Sequence, residues 1–204
     1  MHFAGEIVDQ NPYAPPAAVV AEVVDTNERD RFYVVGARKF FVLYFLTLGM
    51  YRYVWAYKHW ARLRARSGEP MWPVARAIFA IFFTHSLTEE IDHTLKRANV
   101  RHAWSPRSLA TAWVTVVIIA NICDRLAMKD IGSPFSDLLS LVLLLPEAYA
   151  AWRIQDAANR ACGQPDAESN RQFTGANWFW MVIGGMWWVM VLLGLALMFG
   201  LEVV

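Results

Sequence analysis

Charge is scarce in this chain and nearly balanced. Only 18% of its 204 residues are charged, 19 basic against 18 acidic, where an ordinary soluble domain carries about 25%. That balance removes the global electrostatic argument for nucleic acid as a partner. Two cysteines, Cys123 and Cys162, are too few for a disulfide scaffold. Neither G-x-S-x-G nor H-E-x-x-H occurs, and there is no P-loop or dinucleotide fingerprint, so no standard reaction or cofactor is signalled. The first 31 residues hold Glu6, Asp9, Glu22, Asp25, Glu28 and Asp30 and no continuous apolar core, which argues against a secretory signal there.

Apolar side chains are what the sequence has in excess. Hydrophobic residues make up 56%, with ten Trp, twelve Phe and seven Tyr, and the mean hydropathy is +0.27. A spanning helix needs about 20 mostly apolar residues, because each residue rises about 1.5 Å through about 30 Å of hydrocarbon. Residues 176–201 provide 26 without an ionisable side chain. Residues 108–123 follow a Ser105-Pro106 helix start. Residues 138–152 are apolar apart from Glu147 beside Pro146, which predicts a span with a kink. Two further apolar runs, Phe40 to Tyr51 and Ala77 to Thr88, are only twelve residues each. Such lengths fit interfacial, re-entrant or protein-covered helices. Leu46, in the first of them, is expected to be buried against protein. The fold class is therefore all-α: a multipass membrane protein of about five membrane-associated helices, three spanning and two short or interfacial.

The loops carry signs. Lys96, Arg97, Arg101 and Arg107 precede the 108–123 span, and Arg153, Arg160 and Arg171 precede the last. The positive-inside rule then places the N-terminus and the 153–175 loop in the cytoplasm and the C-terminus outside. Arg29, Arg31, Arg38 and Lys39 lie before the first short run, and Lys58, Arg62, Arg64, Arg66 and Arg76 after it. All these clusters share one side only if neither short run fully spans. Residues 1–31 read as a flexible cytoplasmic tail and 32–204 as the membrane domain. In the tail, Asn11, Pro12, Tyr13, Pro15 and Pro16 form an extended stretch suited to docking in a partner groove.

Several residues invite a functional reading. On a helix through 84–97, His85, Glu89, Asp92, His93 and Lys96 fall within about 100° of circumference, with Ala80, Leu87, Ile91 and Leu95 opposite. His85 and His93 stand about 12 Å apart along the axis, too far to share one ion, so a wet face with an Asp92–Lys96 pair is expected and no metal is assigned. Arg52, Asp124 and Glu147 sit at membrane depth, where ionisable groups need a partner, a cavity or the interface. For Glu147 the expected partner is Arg153 or a headgroup, just past the end of a short span, with a polar pocket beside Pro146 as the alternative. Trp178 and Trp180 suit the interface, whereas Trp187 and Trp188, with Gly184, Gly185, Ala196 and Gly200, suit helix packing. Cys162 lies in a polar loop, where a reactive thiol is possible.

The stretch Thr47-Leu48-Gly49-Met50-Tyr51-Arg52-Tyr53-Val54-Trp55 resembles a TLGxYxxYW motif, with Val54 where the motif has Tyr. With the NPYAPP tail, the RAIFAIFFTHSL run and FTGANWFW, it is similar to a class of small bacterial membrane proteins that share a domain of unknown function. The resemblance covers most of the chain and implies a bacterial inner-membrane location without implying an activity. Two readings of function stay open: a non-enzymatic accessory or scaffold protein, with the bilayer, a membrane-protein partner or a second copy as partners; or a small transporter or channel component with a polar path through Arg52, His85, Glu89, His93 and Glu147. An intramembrane enzyme ranks below both.

Overall fold

The computed structural model describes residues 30–200, so the proline-containing motif at Asn11 to Pro16 lies outside the described residues. Among those residues every regular element is helical: α1 (Ala37–Leu46), α2 (Tyr51–Ser67), α3 (Pro73–Ile78), α4 (Ala80–Arg97), α5 (Pro106–Ala127), α6 (Phe135–Ala161) and α7 (Gly175–Met198). Helices α5, α6 and α7 are long and apolar enough to cross a membrane. Their starts are written locally. Pro106 occupies the first turn of α5, where its missing N–H costs nothing. Thr174 and Asn177 form a reciprocal capping box at the head of α7.

The first short run is broken in two. Helix α1 has 10 residues, about 15 Å long and half a bilayer. The chain then turns at Leu48 and Gly49, both with positive φ (49° and 80°), where glycine bears no Cβ penalty. Thr47 secures both sides of the turn: its Oγ1 donates to the Leu43 carbonyl (2.7 Å) and accepts from the Tyr51 amide (3.0 Å). Helix α2 doubles back, bringing the Phe40 ring within 5.8 Å of Tyr51 and 6.4 Å of Trp55. Helices α1 and α2 thus form a hairpin closed by this turn.

The second short run also divides, at Phe79, whose backbone leaves helical geometry (φ −96°, ψ 36°). A single 77–88 segment is thus corrected to the end of α3 and the start of α4. Around this bend Trp72, Val74, Ile78, Phe79 and Phe82 are exposed. Beyond it the expected amphipathicity of α4 holds, with Ala80, Leu87, Ile91 and Leu95 buried.

Helix α6, at 27 residues, is about 40 Å long and outruns the hydrocarbon by about 10 Å. Its C-terminal third is buried by small and apolar side chains, Ala150, Ala151, Ile154, Ala157, Ala158 and Ala161, against α2, α4 and residues 32–35. Trp55, Trp60 and Phe32 close this core. The result is a membrane layer with a packed cap at the end that carries the basic loops.

Helix α7 is nearly bare. Its one buried residue is Gly184, where a Cβ would lie 2.0 Å from the Leu46 carbonyl oxygen. Nearby, the Trp188 indole N–H donates to the Phe45 carbonyl (2.7 Å), an acceptor it shares with the Leu48 amide (3.1 Å). Leu46 is only half-buried rather than buried as expected, and its backbone carbonyl is what meets Gly184 of α7. Trp188 is half-buried, but Trp187 is 45% exposed and lines an open groove between α7 and the α1–α2 hairpin rather than a closed helix contact. Gly185 borders open space and has no close-packing role.

Candidate functional site

Glu147 is in the middle of α6 and 2% exposed. Its Oε1 accepts from the Tyr44 hydroxyl (2.6 Å) and from the Arg52 guanidinium (2.9 Å). The expected pairing with Arg153 or a headgroup is therefore corrected. Helix α6 continues past Glu147 to Ala161, and the hairpin delivers Arg52 from the side. Arg52 in turn donates to the Tyr53 hydroxyl (3.2 Å) and rests over its ring at 5.0 Å. Gly49 approaches from the turn, where a Cβ would lie 3.1 Å from Leu144 Cδ1, so another residue there would press on Leu144 beside the pair.

This ion pair forms part of the wall of a cavity of about 660 Å³ between the hairpin turn and the far ends of α5, α6 and α7. Asp124, Asp137 and Ser140 also line it. Asp137 Oδ2 is buried without a hydrogen-bond partner, an unpaired acceptor that favours cationic or hydrogen-donating company. Three carboxylates and one guanidinium thus line the cavity. Arg52, Asp124 and Glu147, singled out by depth alone, converge here; Tyr44 and Asp137 were not anticipated.

A second polar cluster sits further along α6. Gln155 Oε1 accepts from the Trp55 indole (2.6 Å) and from His59 Nε2 (3.0 Å). Its amide donates to the Tyr33 carbonyl and to Asn159 Oδ1, both at 2.7 Å. Asn159 in turn clasps Val35 through its carbonyl (3.0 Å) and amide (3.3 Å). His59 is therefore neutral with its proton on Nε2, and burial pushes its pKa down to about 3. A signal for these residues was present: Asp137, Ser140, Glu147, Gln155 and Asn159 fall within about 120° of α6 circumference.

The remaining candidates lie elsewhere. His85 Nε2 is 3.1 Å from Thr111 Oγ1, Glu89 pairs with Arg107 (3.2 Å), and Asp92 pairs with Lys96 as expected (2.6 Å). Asp92 also accepts from the Trp104 indole (3.2 Å), and His93 is exposed. This face of α4 looks onto α5, and none of its residues lines the Arg52–Glu147 cavity. Among the described residues no three His, Cys, Asp or Glu side chains gather in metal-ligating geometry. Cys162 is buried, with its Sγ 3.8 Å from the Phe32 carbonyl, so it is not the exposed loop thiol considered above. Comparison of the chain with protein families, curated proteins and solved structures returns no match.

Proposed function

We propose that the chain is a small inner-membrane transport or channel component that admits a small cation to a gate formed by Arg52, Glu147 and Tyr44. The observation that carries this reading is a carboxylate buried in mid-span, held by a guanidinium and a phenol, on the wall of a cavity with two further carboxylates. Ionisable groups at membrane depth are costly and are kept where they serve a path or a ligand. A ring of carboxylates favours cations. Entry is from the end opposite the basic loops. The positive-inside rule makes that end external, with residues 1–31 and the 153–175 loop cytoplasmic.

The accessory or scaffold reading draws on a different feature, the almost uncovered surface of α7, which is available to a partner helix. One experiment separates the two. Ser140→Cys, on the cavity wall, is expected to react with a membrane-impermeant thiol reagent from outside. Ser169→Cys, in the 153–175 loop, should react only from the cytoplasmic side. In liposomes the protein should pass a small monovalent cation, and Glu147→Gln should abolish that flux. A protected Ser140→Cys together with no flux overturns the transport reading and leaves the scaffold.

A further inference from the structure

A second cavity, of about 210 Å³, lies between the hairpin and α7 on the side away from Glu147. Its walls are apolar, with Leu43, Val54, Ile183 and Trp187 among them, and one end is polar, marked by Lys58 and Asn177. Asn177 is in the first turn of α7, and Trp187 lies about 15 Å further along the axis. That is half the hydrocarbon thickness, the depth of one leaflet. The groove thus runs from the membrane surface to the middle, polar end outermost.

The polar end is cationic. The Lys58 ammonium rests 3.4 Å from the Tyr33 hydroxyl and 4.6 Å from its ring centroid. Among the described residues no carboxylate pairs with it or with Lys39, whose ammonium is held by Asn170 Oδ1 and the Gln172 carbonyl, both at 2.6 Å. The two lysines feel each other: burial lowers the Lys39 pKa, and the nearby Lys58 charge adds to the lowering. Arg62 sits over the same Tyr33 ring at 5.6 Å. An ammonium with no opposing carboxylate among the described residues, at the mouth of an apolar slot one leaflet deep and with the Lys39 and Arg62 charges behind it, is complementary to a single molecule with an anionic head and a long chain.

We propose that this groove holds one acyl chain of an anionic phospholipid, with the phosphate at Lys58. The chain lies against Val54 and Trp187 and wedges between hairpin and α7, while Trp180, also on its wall, sits near the polar end, where an aromatic ring suits the membrane interface. A charge-assisted contact to phosphate supplies the headgroup preference, and the apolar wall supplies the rest.

The test uses the full chain in nanodiscs of equal phosphatidylglycerol and phosphatidylcholine, released for native mass spectrometry. One retained lipid is expected, with phosphatidylglycerol favoured about tenfold, the worth of one charge-assisted contact. Lys58→Gln should bring the two lipids close to parity. Val54→Trp, which fills the slot, should remove the retained lipid of either kind. Millimolar inorganic phosphate should not displace it, because a free anion lacks the chain. Equal retention of both lipids by the unaltered protein overturns the proposal without reference to any variant. Undiminished retention by a folded Val54→Trp protein, or displacement by phosphate, overturns it as well. None of these readouts depends on cation flux, so failure here leaves the gate reading intact.

Discussion

Arg52 and Glu147 are 95 positions apart in the chain and 2.9 Å apart in space. Their side chains are 15% and 3% exposed, so each charge depends on the other. Arg52→Ala should destabilise the protein by about 3–5 kcal/mol, because it strands an uncompensated buried carboxylate. Replacing both residues by Met removes both desolvation penalties, and such a pair often loses little or nothing. In thermal unfolding in detergent, the double variant should therefore be more stable than Arg52→Ala alone. The opposite order would mean that the pair is worth more than its desolvation cost. The same double variant should carry no cation flux, separating what the pair does for stability from what it does for passage.

Among the elements, α7 depends on one point of close approach. Gly184→Ala places a methyl 2.0 Å from a backbone oxygen of α1, and backbone cannot swing aside as a flexible side chain can. The helix must shift, and the Trp188 bond to Phe45 should stretch with it, at a cost of about 1–3 kcal/mol. Gly185→Ala meets nothing and should be neutral or slightly stabilising, since alanine is the better helix former. Comparing the two variants by thermal unfolding checks the assignment, and equal effects would sink it. Both glycines looked alike in the sequence. Only the position of the α1 carbonyl distinguishes them, and no local pattern encodes a contact 138 positions away. Much else at this scale was legible: the Ser105-Pro106 start of α5, the apolar stripe of α4 and three spans of sufficient length. The Phe79 bend was not, because Phe79 is an ordinary helix residue and its departure is set by how α3 and α4 pack. Nor was the partner of Glu147, since Arg52 reaches it only because the hairpin turns at Leu48 and Gly49.

For the whole molecule, the cluster around Gln155 ties residues 33–35, α2 and α6 into one unit, and His59 makes its stability depend on pH. The folded pKa of about 3 lies below the usual value near 6.5. Above pH 6.5 His59 is neutral in both states and adds no pH dependence. As pH falls from 6.5 toward 3 the unfolded chain takes up a proton that the folded chain refuses, so stability is lost by up to about 1.4 kcal/mol per pH unit. The melting temperature should drop between pH 7 and pH 5, and His59→Gln, though less stable at pH 7, should show a shallower drop. An identical slope in the variant would assign the effect to other groups, His102 among them. The turn at Leu48 and Gly49 also has a consequence for how the protein is made. The hairpin leaves the ribosome before α6 exists, yet Tyr44 and Arg52 find their acceptor 103 and 95 residues later. At about 5–20 residues per second, roughly 5–20 s of synthesis separate them. A helix of half a bilayer's length, followed by an arginine, cannot be threaded through the lipid on its own. It must wait at the membrane surface until α5 and α6 are in place, so the membrane element synthesised first is seated only after two that follow it.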